Sequence, residues 1–284
     1  MQTKTPGRSP IRLTRRGRIA LVTTGAVVVG AAVAVPLMFS DEKPEEPASL
    51  TVPEGWRAGQ VYSAVDKALA LPAGTTKKSV PKARLKLPAD AQGNPEGYLF
   101  PATYPITDKS TPASVLSFMV NTANKRFATA PVAAGANADT RNLYQTVTIA
   151  SIVQAEADNK ADMGKVARVI HNRLAQGMPL QMDSTINYAL NRSTLNTSQS
   201  DTQLDSPYNT YSRMGLPPTP IAGPGDDAMR AATRPTAGEW LYFVTVKPGD
   251  TRFTAQYEEH QRNVDEFNQN NRSGSPTPSG SPAG

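Results

Sequence analysis

The chain has 284 residues with 30 Lys+Arg against 24 Asp+Glu, a formal net charge of +6, two histidines and no cysteine. Absence of cysteine excludes a disulfide scaffold, a thiolate nucleophile and cysteine-ligated metal sites. Two distant histidines, His171 and His260, offer neither a His-rich metal site nor a supported Ser–His pair. Much of the basic excess lies in the N-terminal arm, with no aromatic-interleaved basic stripe, so nucleic-acid binding is not expected.

Residues 1–18 carry five arginines and no acid, and 19–39 is an uncharged apolar run followed by Asp41, Glu42, Glu45 and Glu46. The run matches the roughly 20 residues that cross a hydrocarbon core. The charge step predicts a cytoplasmic N-terminus and an extracytoplasmic remainder. A cleaved signal peptide is the alternative, with small residues at Ala31 to Val35, but the run is longer than a usual signal core. Residues 40–50 read as a linker, stiffened at Pro44 and Pro47.

Thr51 to Trp56 suggests a short strand and turn, and Val61, Val65, Ala68 and Leu69 predict a helix over about 60–71. Lys77, Lys78, Lys82, Arg84 and Lys86 follow, read as a solvated loop or as a contact for an anionic envelope polymer. Glu96 to Tyr104 is a compact aromatic segment, and 112–127 an amphipathic helix. The stretch Ala150-Ser-Ile-Val-Gln-Ala-Glu156-Ala then sets one acid in an otherwise apolar helix, whose buried face is expected at Val147, Ala150, Val153 and Ala157. A carboxyl at the edge of such a face has its neutral form favoured, as a general acid requires. From the helix alone, an exposed glutamate on the solvent side is the better reading; the sequence that follows Glu156 reverses that weighting.

Asp158 or Asn159 can cap the next helix, closed by Gly177 and Pro179. Asp183 reads locally as the N-cap of a short helix ending near Leu190. Residues 205–225, rich in proline and glycine around Tyr208-Asn209-Thr210-Tyr211, predict an ordered loop. A helix over 226–233, strands at 240–246 and 251–254 and a helix over 255–268 complete an α+β fold, with a disordered Ser/Pro/Gly tail.

Taken together, Glu96–Tyr104, Ala150–Glu156, Asn172–Tyr188, Pro207–Gly225 and Leu241–Val264 resemble, in order and spacing, the YceG/MltG-like endolytic murein transglycosylases. The specific signal is the ordered set Asn172-Arg-Leu-x-x-Gly-Met-Pro-Leu-Gln-x-Asp183, Tyr208-Asn-Thr-Tyr211 and Gly215-Leu-Pro-Pro-x-Pro-Ile221. The resemblance implies a basic arm (1–18), a transmembrane helix (19–39), a linker (40–50), a partial LysM-like subdomain (51–90), a mixed helical/β-hairpin catalytic domain (91–270) and a tail (271–284). It implies cleavage of the β-1,4 bond between N-acetylmuramic acid and N-acetylglucosamine within peptidoglycan strands, leaving 1,6-anhydro ends. Glu156 is then the catalytic residue, acid first and base second, and no cofactor or metal is implied.

Gln181, Asp183, Tyr208, Asn209 and Tyr211 fall on motif positions with chemistry suited to sugar hydroxyl and acetamido groups. Asn209 is the first candidate for orienting substrate; loop packing is the alternative for the tyrosines, a helix cap for Asp183. Glu96 suits a turn or hydrogen-bonding role better than catalysis, and Arg173 suits an ion pair. Ala102, Ser184, Thr219 and Thr251 depart from the family pattern, which commonly has Asp, Pro and Gly at the first three and a histidine just before Phe253. Those departures and the shortened N-terminal subdomain motivate one rival reading, a catalytically impaired wall-binding scaffold; a second, a hydrolytic muramidase, would need a second positioned carboxylate, with Asp183 the candidate. Peptidoglycan synthases are possible partners.

Overall fold

The computed structural model describes residues 48–129, 141–192 and 198–274. The basic arm, the apolar run 19–39, nearly all of the linker and the last ten residues of the tail lie outside them. Among the described residues no helix is long and apolar enough to cross a membrane.

The described chain is mixed, with helices and two small two-stranded antiparallel sheets, as α+β requires. Strand β1 (Ser49–Thr51) pairs with β2 (Thr103–Pro105). Leu50 faces Tyr104, and both point inward while their neighbours face out, so the period of two is obeyed even in strands this short. Between them lie α1 (Ala58–Ala68) and α2 (Thr75–Ser79). The lysine-rich stretch is thus partly helical, against the loop expectation. Its cause is Asp66, buried at the end of α1, which accepts from the Gly74 N–H, the Thr76 N–H and the Thr76 hydroxyl at 2.6–2.7 Å. These bonds satisfy donors that the start of a helix would otherwise leave open. Val52, Ala58, Val61 and Val65 belong to the same apolar core as the residues that follow.

Helix α3 (Pro112–Phe127) starts where expected, with Thr111 and Ser114 forming a reciprocal cap and proline at the first turn. Helix α4 (Leu143–Glu156) forms the centre, packed against α5 (Lys160–Ala175), α6 (Asp183–Ala189) and α7 (Asp226–Thr233). The single buried face predicted for α4 is too narrow. Every residue from Thr146 to Val153 is buried, because neighbours cover the helix on all sides. Each fully buried Ile or Val contributes roughly 1.5–3 kcal/mol.

The hairpin of β3 (Tyr242–Lys247) and β4 (Asp250–Thr254) turns through Gly249 at φ +80 and carries a register shift between Thr245 and Lys247. Helix α8 (Tyr257–Gly274) packs on it, with Tyr242 stacked on His260 at 5.1 Å. This helix runs past the boundary expected near residue 268, so residues 271–274, assigned to the tail, continue it.

Candidate functional site

Glu156 is the last residue of α4. Ala157 leaves the helix in extended conformation, and Asn159 then caps α5 by accepting from the Asp162 N–H at 3.0 Å. The acid therefore sits where a helix buried from Thr146 to Val153 reaches the surface, and it is half-buried. Its Oε1 accepts the Ser184 N–H at 3.2 Å. Burial holds its carboxyl above the usual range; Ser184 pulls it back through hydroxyl and N–H, and the Asp183 charge pushes it up again. The Ser184 hydroxyl itself meets no partner at hydrogen-bonding geometry, so the N–H is the firmer of the two contacts.

Asp183 is the first residue of α6 rather than its cap. Met182 occupies the cap position, and no side-chain cap bond forms. The Asp183 carboxylate instead accepts the Tyr211 hydroxyl at 2.5 Å, so Glu156, Asp183 and Tyr211 form one cluster. Gln181 borders it with an exposed side chain and a left-handed backbone, φ +53. A non-glycine residue held there costs of order 1–3 kcal/mol and persists only where its surroundings fix it. Thr210, not singled out from the sequence, supplies part of that fixing. Its carbonyl accepts the Gln181 N–H at 2.9 Å and its hydroxyl the Met182 N–H at 3.0 Å, while also bonding Thr185 at 2.9 Å.

Asn209, the first candidate for orienting substrate, is fully buried. Its amide nitrogen donates to the Thr202 and Leu204 carbonyls at 3.0 and 2.7 Å, and its oxygen accepts from the Tyr211 and Ser212 N–H groups at 3.0 and 3.4 Å. The amide is spent on the shape of the loop, and none of it is turned outward for a sugar. Tyr208 stands apart from the Glu156 cluster, its hydroxyl bonded to Thr219 at 2.9 Å and its ring 4.9 Å from Tyr188.

That second cluster centres on Glu96, which is 4 % exposed. Its two oxygens accept the Ala58 N–H at 2.9 Å and the Tyr188 hydroxyl at 3.0 Å. Burial raises its pKa to about 7 against the pull of these bonds and of Arg57. The turn demands glycine at position 97: φ is +81, and a Cβ there would lie 2.5 Å from Pro220.

Arg173 does not form the expected ion pair. It is 6 % exposed and no carboxylate meets it among the described residues. It donates to the carbonyls of Leu241, Pro179 and Leu180 at 2.6, 3.2 and 2.7 Å and to Gln181 Oε1 at 3.3 Å. The departing residues also have work: Ser184 contacts Glu156, Thr219 holds Tyr208, Thr251 bonds Thr245 at 2.9 Å across the hairpin, and the Ala102 carbonyl accepts the Val52 N–H at 2.9 Å.

The geometry is thus a half-buried carboxyl whose pKa burial raises, beside a carboxylate that accepts a tyrosine hydroxyl. The chain belongs to the YceG-like family, which it matches over residues 31–266. It is 37 % identical over 173 residues to an endolytic murein transglycosylase of Bacillus subtilis (strain 168), covering 61 % of this chain and 48 % of that protein. It is 32 % identical over 254 residues to an endolytic murein transglycosylase of Streptococcus pneumoniae serotype 2 (strain D39 / NCTC 7466), covering 79 % and 46 % respectively. The chain thus spans about half the length of the curated relatives it matches. The crystal structure of a YceG-like protein from Listeria monocytogenes superposes with a TM-score of 0.70 at 29 % identity, covering 77 % of this chain and 76 % of that one.

Proposed function

We propose that this chain is an endolytic murein transglycosylase that uses Glu156 alone as acid and then base. The observation that carries the reading is the state of Glu156, half-buried with burial favouring its protonated form and a single hydrogen bond to one of its oxygens. The names of the relatives support the reaction class. Protonated Glu156 donates to the glycosidic oxygen as its bond to C1 of N-acetylmuramic acid breaks, and that oxygen departs as the 4-hydroxyl of N-acetylglucosamine. The resulting carboxylate takes the proton of that sugar's C6 hydroxyl as its oxygen closes on C1, giving the 1,6-anhydro ring. Because the nucleophile is part of the substrate, no second catalytic carboxyl is needed, and intramolecular attack has an entropic advantage over water. A glycoside hydrolase would use two.

Asp183 supports a second reading, hydrolysis, because it is a second carboxylate close enough to Glu156 to add, after burial, to its raised proton affinity. Its 2.5 Å bond to Tyr211 favours instead a role in binding or in holding the site negative. Mass analysis of digested peptidoglycan decides: anhydro ends support transglycosylation, reducing ends support hydrolysis, and no new ends support a scaffold.

In the same reading residues 19–39 anchor the protein in the membrane with the basic arm inside, residues 51–90 form a LysM-like unit contacting the wall, and Gln181 and Tyr211 contact the glycan. The charge step across the apolar run supports the topology. Protease added to intact spheroplasts should remove the globular part. Full protection, or a mature N-terminus near Ser40, counts against it. Synthases of the growing wall are the proposed partners.

A further inference from the structure

The loop that carries Tyr211 borders an open groove of about 470 Å³, lined by Pro207, Thr210 and residues 213–218. That volume lies within the roughly 300–1,000 Å³ typical of sites for small organic ligands. Its inner end joins the acid's cluster: the Thr210 carbonyl accepts the Gln181 N–H, and the next residue, Tyr211, donates to Asp183 beside Glu156. The rim is held in place without a ligand. The Asn209 amide fixes the backbone of Tyr211 and Ser212, and the Arg213 N–H donates to the Asn209 carbonyl at 3.0 Å. Leu216 packs on the core, and Pro217 and Pro218 restrict the backbone that follows. Among the described residues Met214 is the most exposed large apolar side chain, at 69 %. Beside it, Arg213 gives only its Nη2 to a carboxylate, that of Asp205 at 2.9 Å, and both partners are exposed. Such a pair contributes little, and the remaining nitrogens of the guanidinium carry no bond among the described residues. The rim therefore offers a cation with spare donors next to an adaptable thioether.

We propose that this groove takes the peptide that branches from N-acetylmuramic acid, with Arg213 receiving a peptide carboxylate and Met214, Pro207 and Pro218 receiving its alkyl groups. This rests on the reading of Glu156 as the acid that breaks the bond at C1 of that sugar. The peptide hangs from the lactyl ether on C3 of the same ring, so it leaves the glycan within a few bonds of the reacting carbon. A rim that begins one residue from Tyr211 is what its first residues meet. The sugars themselves are rich in hydroxyl groups and would leave an exposed methionine and two prolines without apolar partners. The peptide supplies both the alkyl surface and the charge that the rim lacks.

The test uses the full chain and three substrates: strands bearing peptides, the same strands stripped of peptide at the lactyl amide, and strands whose peptide carboxylates are amidated. Arg213→Gln and Met214→Ser change exposed side chains, so both should keep the wild-type thermal midpoint. On peptide-bearing strands Arg213→Gln should raise KM about fivefold and Met214→Ser about threefold. In each kcat should change little, as loss of uniform binding requires. On stripped strands both variants should match wild type. On amidated strands the wild-type KM should rise to that of Arg213→Gln.

Equal effects on peptide-bearing and stripped strands would put the sugar chain in the groove and overturn the proposal. Wild-type KM in both variants on peptide-bearing strands would overturn it as well. A second measurement needs no turnover: calorimetric binding of a soluble disaccharide-peptide, and of the peptide-free disaccharide, to the Glu156→Gln chain with and without Arg213→Gln. Only the first ligand should lose affinity, by about the same fivefold. If the wild-type chain makes no anhydro product but this difference persists, the catalytic reading falls and the peptide groove stands. If anhydro product forms but both ligands bind alike in both chains, the groove falls and the catalytic reading stands.

Discussion

Glu156 and Glu96 are two carboxyls that burial pushes in the same direction, in one fold, with different consequences. Glu96 is enclosed, and each of its oxygens is bound, one to the start of α1 and one to Tyr188 at the end of α6. It ties three segments together and has no face left for a ligand. Glu156 stands where α4 surfaces, with one oxygen held by Ser184 and none of its other contacts a hydrogen bond. A raised proton affinity is therefore no sufficient mark of a general acid. What distinguishes the two is that Glu156 keeps one oxygen free of hydrogen bonds, the feature on which the proposed role rests.

The strongest way to break this comparison is to remove each acid. Glu156→Gln should lower anhydro-product formation by at least roughly 10²-fold, since general acid–base catalysis contributes about that much. Its thermal midpoint should stay close to wild type, because only one modest bond is altered. Since the unmutated acid must start protonated and its folded pKa is raised, wild-type activity should fall as pH climbs through that raised value. Near-normal product from Glu156→Gln would end the assignment, and Asp183 would be tested next.

Asn209→Ala comes second, and its effect should be on folding first. Deleting the amide strands two carbonyls and two N–H groups in a buried loop, a cost of about 2–4 kcal/mol. Activity should fall only as the folded fraction falls. A stable but inactive variant would give Asn209 the direct substrate role that its motif position suggested.

Tyr211→Phe should be milder. It releases Asp183 beside Glu156 at a stability cost of about 1 kcal/mol, with turnover reduced several-fold as Asp183 loses its fixed orientation. A switch from anhydro to reducing ends in this variant would instead favour Asp183 as a base for water.

Glu96→Gln should disturb catalysis least, leaving product formation within a few-fold of wild type, and it sharpens the comparison through pH. The folded pKa of about 7 lies above the ordinary 4.5, so the folded protein binds the extra proton between those values. Wild-type stability should accordingly fall as pH rises from about 4.5 to 7, by at most on the order of 3 kcal/mol. Denaturation at several pH values should show this slope flattened in Glu96→Gln. A variant as inactive as Glu156→Gln, yet folded, would overturn the separation of the two carboxyls.

Local pattern alone determined most element boundaries here. Thr111 with Pro112, Asn159, Gly177 with Pro179, and Lys247 to Asp250 are signals confined to a few residues, and α3, α5 and the β3–β4 hairpin start or stop at them. The motif order likewise marked Glu156, because an acid in an apolar helix is visible in one dimension. Partners distant in sequence were not. Tertiary packing alone decided that α4 is buried on every side, that Asn209 is enclosed, that Asp183 serves Tyr211 rather than its own helix, and that Arg173 has no acid to pair with. Each of these depends on which groups meet across dozens of residues. Solvation and hydrogen bonding are properties of that meeting, and no single stretch of chain encodes them.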